Sequence, residues 1–277
     1  MRQAILLQGE SPLKSLLHSS IKCIGLLILV FFFINEKSFA YVDYHSRTFM
    51  RSYPFGGGVE FESGYNVLVW KRGVGSPSAM NPWYGFVRPS LQFATAGSFN
   101  EYSFKLDLFP ISFLGLKFGT SDYQNFKNYS AYDCVNYQCL GHFRIQYAEL
   151  NLIYGKGPYF GFFKAKQQNY TLLEMLTSNR AIEPSSALLL SAQGDMVYKY
   201  ISGLGYRQSD RLAFTLLYLR AVVSDQKSET KLVNASYKWD EYQAGVSLGE
   251  FQSDLSSRGT TVVLQLGWNP KPSLELL

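Results

Sequence analysis

The chain has few cysteines, histidines and prolines and no long hydrophobic run: its 277 residues include 3 Cys, 3 His and 10 Pro. Its longest apolar stretch, residues 24–34, is shorter than the roughly 20 residues that a membrane-spanning helix needs. This argues against a helical membrane protein. The sequence also contains no nucleotide, haem or zinc motif. We therefore expect no cofactor and no metal site.

The chain also lacks a strong charge of either sign. After residue 40 it has 22 Lys and Arg against 19 Asp and Glu, a net charge of +3. A balance this small neither attracts nucleic acid nor steers a charged partner over long distances. We therefore expect no nucleic-acid partner.

The first 40 residues have the features of a secretory signal peptide. Lys14 and Lys22 precede the apolar run, and Ser38-Phe39-Ala40 supplies a small-x-small cleavage site. We expect residues 1–40 to be removed and residues 41–277 to form one mature domain.

Two cysteines remain after this cleavage, Cys134 and Cys139, close together in a polar segment. In an oxidising compartment such a pair forms a local disulfide. A metal site would need more ligands than this segment offers, because only His142 is near.

The clearest secondary-structure signal spans residues 231–251, where two stretches alternate apolar and polar side chains and so predict a β-hairpin. The apolar members are Val233, Ala235, Tyr237, Trp239, Tyr242, Ala244, Val246 and Leu248. Such interleaving keeps the mean hydropathy at -0.07 although 16% of the chain is aromatic. These features favour a membrane β-barrel with aromatic girdles. An aromatic-rich soluble β-sandwich is the alternative.

The strand count depends on three segments: whether residues 41–55 form a strand, whether the chain turns at Pro110, and whether residues 187–207 are one unbroken strand. Proline donates no hydrogen bond to a neighbouring strand, so we expect a turn at Pro110. This reading gives about 12 strands, and the alternative gives 10. Both counts are even, as bacterial barrels require.

The chain resembles Gram-negative outer-membrane β-barrel proteins in its signal peptide, its alternating strands and its aromatic belt, which includes Trp70, Trp83, Trp239 and Trp268. The resemblance implies an all-β, transmembrane antiparallel up-and-down β-barrel in the outer membrane of a Gram-negative bacterium, in contact with lipid. Members of this class often end on an aromatic residue. This chain departs from that pattern and continues past Trp268 as NPKPSLELL.

The class that the chain resembles also includes barrel enzymes, namely phospholipases, lipid A deacylases and proteases. These enzymes use a histidine as base. Residues 41–277 contain only His45 and His142. The phospholipase pattern His-x-Ser-Asn-Gly has its nearest counterpart at residues 206–210, which contain no histidine. A trio of His142, Ser130 and Asp133 is of a kind common by chance. We expect no catalytic site and no enzyme.

Alternation places a set of charged side chains on the lumen face: Glu60, Glu62, Arg88, Glu101, Lys105, Asp107, Lys117, Arg144, Lys164, Lys166, Lys199, Arg207 and Lys238. They suggest a porin-like conduit for small polar or anionic solutes. Alternatively, the charges pair across a small lumen and form a plugged structural barrel.

A third hypothesis is a surface-interaction, adhesin-like barrel. It rests on aromatic residues in the predicted outer loop 120–141, where exposed rings could anchor a partner. These residues are Tyr123, Phe126, Tyr129, Tyr132 and Tyr137.

Overall fold

The computed structural model describes residues 40–72, 83–128, 133–173, 180–183, 185–191, 194–271 and residue 274. The predicted signal peptide, apart from Ala40, lies outside the described residues, so its cleavage stays a prediction. No helix in the described part of the chain is long and apolar enough to cross a membrane.

The described residues form fourteen strands, and twelve of them close into a single antiparallel barrel. The strands are β1 (Ala40–Arg51), β2 (Gly56–Lys71), β3 (Tyr84–Thr95), β4 (Phe99–Ile111), β5 (Leu114–Asn125), β6 (Gly141–Lys156), β7 (Tyr159–Leu172), β8 (Arg180–Glu183), β9 (Leu188–Ser191), β10 (Asp195–Arg207), β11 (Leu212–Val223), β12 (Gln226–Trp239), β13 (Tyr242–Ser253) and β14 (Ser256–Lys271). Each wall strand pairs with the next wall strand along the chain, and β1 pairs with β14. The prediction of twelve barrel strands is confirmed.

The outer face of this barrel is apolar. Several aliphatic side chains that point away from the lumen are 57 to 72% exposed, namely Leu91, Leu204, Leu216, Val233 and Leu248. Because the barrel is closed, every wall strand has a hydrogen-bonded neighbour on both edges. A hydrocarbon environment requires this, since it offers no water to unpaired backbone groups. An apolar exterior around a charged interior is the architecture of an outer-membrane β-barrel.

The two openings of the barrel differ. The opening that we call the chain-end mouth contains both ends of the wall, Ala40 and Lys271, and short turns such as residues 157–158. The opposite opening, the loop mouth, contains the disulfide segment between β5 and β6 and the long connection between β7 and β10. Because outer-membrane barrels keep their short turns in the periplasm, we expect the loop mouth to face outward.

All four tryptophans lie near the chain-end mouth, and three of them have aromatic neighbours there. Trp83 packs edge-on against Phe113, Trp268 lies 5.7 Å from Tyr44, and Trp239 stacks on Tyr237 and Tyr242. Amphipathic rings of this kind mark a membrane interface. The predicted aromatic belt is therefore concentrated at one interface.

Two of the predicted strand limits need correction. The turn between β4 and β5 lies at residues 112–113, so Pro110 stands inside β4, exposed near its end. Residues 187–207 are also not one strand, because Gly194 has a φ of +91° and separates β9 from β10. Only β10 belongs to the barrel wall, and β9 pairs with β8 as a separate hairpin.

The β8–β9 hairpin folds inward at the loop mouth. Its Leu188 and Leu190 are fully buried and pack in one cluster with the wall residues Phe143 and Val197. Apolar side chains on the hairpin and on the inner wall thus shield each other from water.

Candidate functional site

The barrel encloses a cavity of about 970 Å³ that is lined by side chains from most wall strands and from the hairpin. Ten of the thirteen charged residues predicted to face the lumen line it: Glu60, Glu62, Arg88, Glu101, Lys105, Asp107, Lys117, Lys164, Lys166 and Lys199. This cavity is the candidate solute site.

The other three predicted lumen residues lie elsewhere. Arg207 ends β10 and Lys238 stands one residue before the end of β12, so both are exposed at the chain-end mouth. Arg144 is on the opposite face from the one predicted. Its exposed guanidinium pairs with Asp122 at 3.2 Å, while Phe143 and Ile145 on either side of it line the cavity. The prediction that Arg144 faces the lumen is therefore wrong, because the inward side of β6 is the one that carries Phe143 and Ile145.

A buried ion cluster crosses four consecutive strands near the chain-end side of the cavity. Arg88 of β3, only 2% exposed, donates to both carboxylate oxygens of Asp43 on β1, at 2.6 and 2.7 Å. Its remaining nitrogen reaches Glu62 of β2 at 2.5 Å and Asp107 of β4 at 3.3 Å. Lys105 then pairs with Glu62 at 2.6 Å. Three carboxylates thus share one arginine, and Lys105 on Glu62 and Lys117, 3.9 Å from Asp107, complete the charge balance.

Gly64 of β2 makes this arrangement possible. A Cβ built on Gly64 would stand 2.5 Å from the Arg88 guanidinium, so any larger residue would displace it. The Gly64 amide also donates to Asp43 at 3.1 Å, which fixes the carboxylate for the bidentate pair. The absence of a side chain at one position therefore lets the arginine lie flat across the wall.

His45 lies next to this cluster, and its nitrogen and the carboxylates of Glu60 and Glu62 come within 4.8 Å of one another. Both carboxylates already have cationic partners in the chain. Glu60 pairs with Arg47 at 2.9 Å, and Glu62 is held by Arg88 and Lys105. The histidine therefore belongs to an internally neutralised network, and we assign it no metal.

A second group of charges lies on the wall formed by β7 and β10. Lys166 and Lys199 stand directly opposite each other on the paired strands, and Lys164 follows two residues from Lys166. Like charges in opposed positions destabilise a sheet. Lys199 pairs with Glu183 at 3.3 Å, whereas no ion pair is found for Lys164 or Lys166 within the described residues. Lys166 instead lies 3.8 Å from the centre of the Tyr147 ring.

The hairpin forms a roof over this lysine wall. Glu183 of β8 is buried and accepts hydrogen bonds from Ser185 and Ser186 in addition to Lys199 and Tyr170. Burial by itself raises the pKa of Glu183, but Lys199 and the serine hydrogen bonds outweigh it and lower the pKa to about 2. The carboxylate therefore stays ionised and holds the hairpin across the ordinary pH range.

We expect the substitution Glu183→Gln to release the hairpin part of the time. The substitution removes the buried carboxylate that pairs with Lys199, which should lower the free energy of opening the hairpin by about 1 to 3 kcal/mol. Limited trypsin cleavage after Arg180 should therefore accelerate by about tenfold. In the native chain this contribution exists above pH 4.5 and disappears only as the pH falls towards 2. Cleavage measured from pH 5 to 8, relative to that of an unstructured peptide substrate at each pH, should therefore remain slow. Glu250→Gln, which alters an exposed pair with Arg258, is the control; equal acceleration in both variants would contradict the role of Glu183.

Leu274, which follows the last strand, lies at the chain-end mouth. Leu274 is 8% exposed and packs against Leu68, Phe86 and Phe109 of the inner wall. Its carbonyl accepts from the Tyr84 hydroxyl at 2.6 Å, and its amide donates to Asn66 at 3.3 Å. Leu274 belongs to the extension that the sequence showed only as a departure from related barrels, and it packs onto the inner wall.

The cysteines form the predicted disulfide, Cys134–Cys139, in the segment between β5 and β6. This segment is joined to the hairpin by backbone hydrogen bonds. Gln138 donates to Arg180 at 3.0 Å and accepts from Ile182 at 2.9 Å. The disulfide loop and the lumen hairpin therefore form one connected unit at the loop mouth.

The aromatic residues proposed for partner binding do not form one exposed surface. Tyr123 belongs to β5, lines the cavity and stacks on Phe99, and Tyr137 packs against the disulfide and hairpin cluster. Phe126 is 45% exposed. Tyr129 and Tyr132 lie outside the described residues. The surface-interaction hypothesis consequently loses two of its five residues to internal packing.

His142 has a carboxylate neighbour, Asp122, with the Nε2 and Oδ1 atoms 3.7 Å apart. Asp133, the acid proposed for a chance trio with His142, accepts hydrogen bonds from Asn136 in its own turn, and these lower its pKa. Ser130 lies outside the described residues. This geometry gives no support to a histidine-dependent site.

The sequence pattern did not predict three of the acidic residues that lie inside the barrel. Asp43 was missed because residues 41–55 gave no clear pattern, although Tyr41, Asp43 and His45 share one face of β1. Glu149 was missed because the phase of β6 was reversed. Glu183 lies in a connection that carried no strand signal of its own.

No protein-family model and no curated protein matches the chain. Among solved structures it is similar to the KdgM porin, with 10% identity, a TM-score of 0.42, and coverage of 82% of this chain and 98% of that chain. It is also similar to OmpT of Vibrio cholerae, with 7% identity, a TM-score of 0.42 and coverage of 85% and 99%. A third similar structure is an anion-selective porin from Comamonas acidovorans, with 7% identity, a TM-score of 0.37, and coverage of 84% of this chain and 99% of that chain. At these identities and TM-scores no family or solute is identified.

Proposed function

We propose that the chain is a porin-like conduit for small polar or anionic solutes. The observation that carries this proposal is the 970 Å³ cavity with Lys164 and Lys166 on its wall and no ion pair for either lysine within the described residues. A structural plug would be expected to pair such charges internally, because isolated buried ammonium groups are costly. Water or a passing anion satisfies them in a conduit.

The charge balance of the cavity supports a weak preference for anions. The basic lining residues are Arg47, Arg51, Arg88, Lys105, Lys117, Lys164, Lys166 and Lys199, and the acidic ones are Glu60, Glu62, Glu101, Asp107, Glu149 and Glu183. Asp43 adds one buried acid beside Arg88. The excess is one positive charge, and it is concentrated on the β7–β10 wall.

Neutralising this wall should reverse the selectivity. We expect the double variant Lys164→Gln and Lys166→Gln to change a weak anion preference into a weak cation preference, because the excess changes from one positive to one negative charge. The measurement is the reversal potential of single channels in a planar bilayer under a salt gradient. The matched control changes Lys227 and Lys231, two exposed lysines, to Gln. A reversal potential that moves equally in both double variants would contradict the proposed pathway.

The second candidate function is a closed structural barrel, and the two narrowed mouths favour it. The hairpin covers the cavity at the loop mouth and Leu274 packs into the chain-end mouth. A refolded barrel with heat-modifiable gel mobility and no conductance would support this reading. Steady conductance would exclude it.

A further inference from the structure

The lumen wall beside the lysines is apolar. Ile201 of β10, Leu217 and Leu219 of β11, and Leu232 of β12 all line the cavity, and we call these four residues the apolar stripe. They are contiguous, because Ile201 is opposite Leu219 and Leu217 is opposite Leu232 on paired strands. Each is only partly buried.

Such a stripe is unusual inside a membrane barrel, whose interior is normally polar and wet. The apolar inner wall nearer the loop mouth has a packing partner, because Val197, Ala221 and Val223 are buried in one cluster with the hairpin. The apolar stripe lies outside that cluster and faces the cavity. It therefore offers an apolar surface to a solute.

The stripe and the lysines are immediate neighbours. Lys164 is directly opposite Ile201, and Lys166 is directly opposite Lys199, which is two residues from Ile201 on β10. Opposed residues have Cβ atoms about 5 Å apart. A ligand with a charged head on Lys164 and Lys166 can thus lay its body along the stripe without crossing the lumen.

The hairpin encloses this surface from above. Ile182 and Glu183 line the same cavity, and Glu183 engages Lys199 while leaving the two other lysines to the lumen. The cavity volume of about 970 Å³ lies at the upper end of the range for small-molecule sites. Enclosure, apolar surface and a few convergent charges are the features of a binding site.

We propose that the lumen binds small amphipathic anions, namely carboxylates with an alkyl or aryl body, through Lys164 and Lys166 at the head and the apolar stripe along the body. The proposal deepens the proposed conduit, since it rests on the lumen admitting solutes and names the class of solute that would be retained there.

The test is calorimetric titration of the refolded barrel in a non-ionic detergent with octanoate, acetate and octanol, each corrected for a titration into detergent alone. We expect octanoate to bind at least tenfold more tightly than acetate and than octanol, because it alone uses both surfaces. The double variant Lys164→Gln and Lys166→Gln should lose at least tenfold in octanoate affinity. The double variant Leu217→Ser and Leu219→Ser should bind octanoate no better than acetate.

Controls separate this inference from the proposed function. The Lys227→Gln and Lys231→Gln double variant should bind octanoate like the native chain, and each variant is checked for heat-modifiable mobility. Equal affinity for acetate and octanoate, or for octanol and octanoate, would overturn the inference. Conductance without chain-length-dependent binding leaves the conduit standing and rejects the amphipathic site. Octanoate binding by a barrel that shows no conductance would support the amphipathic site and reject the conduit.

Discussion

Replacing Arg88 with methionine is expected to lower the free energy of unfolding by about 3 to 5 kcal/mol, because a buried ion network loses the cation that neutralises its acids. Asp43 would keep its hydrogen bonds from Gly64 and Asn66, but its buried charge would lie close to those of Glu62 and Asp107. Lys105 would still pair with Glu62 and Lys117 with Asp107, whereas Asp43 would lose its arginine. The measurement is urea unfolding of the detergent-refolded barrel, in which the folded fraction is read from its heat-modifiable mobility on a gel.

Arg144→Met is the matched control for this experiment. Arg144 also pairs with an aspartate, but its side chain is 50% exposed and that of Asp122 is 44% exposed. An exposed pair of this kind contributes about 0 to 1 kcal/mol. Adding Asp43→Asn and Glu62→Gln to Arg88→Met should recover part of the lost stability, since fewer acids then remain without a cation. Similar losses for the Arg88 and Arg144 variants would show that the buried cluster has no special role.

Changing Leu274 to aspartate is expected to raise single-channel conductance by about two- to threefold, because it removes an obstruction from the narrow end of the pathway. An aspartate is unfavourable among Leu68, Phe86 and Phe109, so residue 274 should leave the inner wall of the chain-end mouth. Ending the chain after Lys271 should have the same effect. Both variants are measured in planar bilayers under identical salt.

Leu140→Asp makes the same chemical change at a site where Leu140 is 40% exposed, in the disulfide segment at the loop mouth. Its conductance should match that of the native barrel. Should the truncated chain fail to refold, the Leu274 variant still decides the question. Native conductance in a correctly folded Leu274 variant would mean that the segment does not limit the pathway.

The barrel itself could be predicted because its alternation is local. The pattern in residues 231–251 depends only on which residues face lipid, and the structure places a strand pair there with the expected phase, β12 and β13. The twelve wall strands followed from the same rule. The rule assumes that apolar side chains point outward.

That assumption fails where protein fills the lumen. Phe143 and Ile145 point inward because the hairpin packs against them, so the apolar face of β6 at the loop mouth is its inner face. A sequence pattern cannot reveal this without knowledge that a distant loop folds into the barrel. The positions of Asp43 and Leu274 depend in the same way on residues far away in the chain, Arg88 and Tyr84.

The backbone bonds between Gln138 and the hairpin have a consequence for engineering and for natural variation. Exposed loops normally tolerate insertions and sequence drift. Here an epitope grafted between Cys134 and Cys139 would shift the roof of the cavity, so surface identity and permeability cannot be varied independently. The turn at residues 224–225 is tied to the same roof, because the Gln226 side chain accepts a hydrogen bond from the Leu189 amide of the hairpin at 3.0 Å.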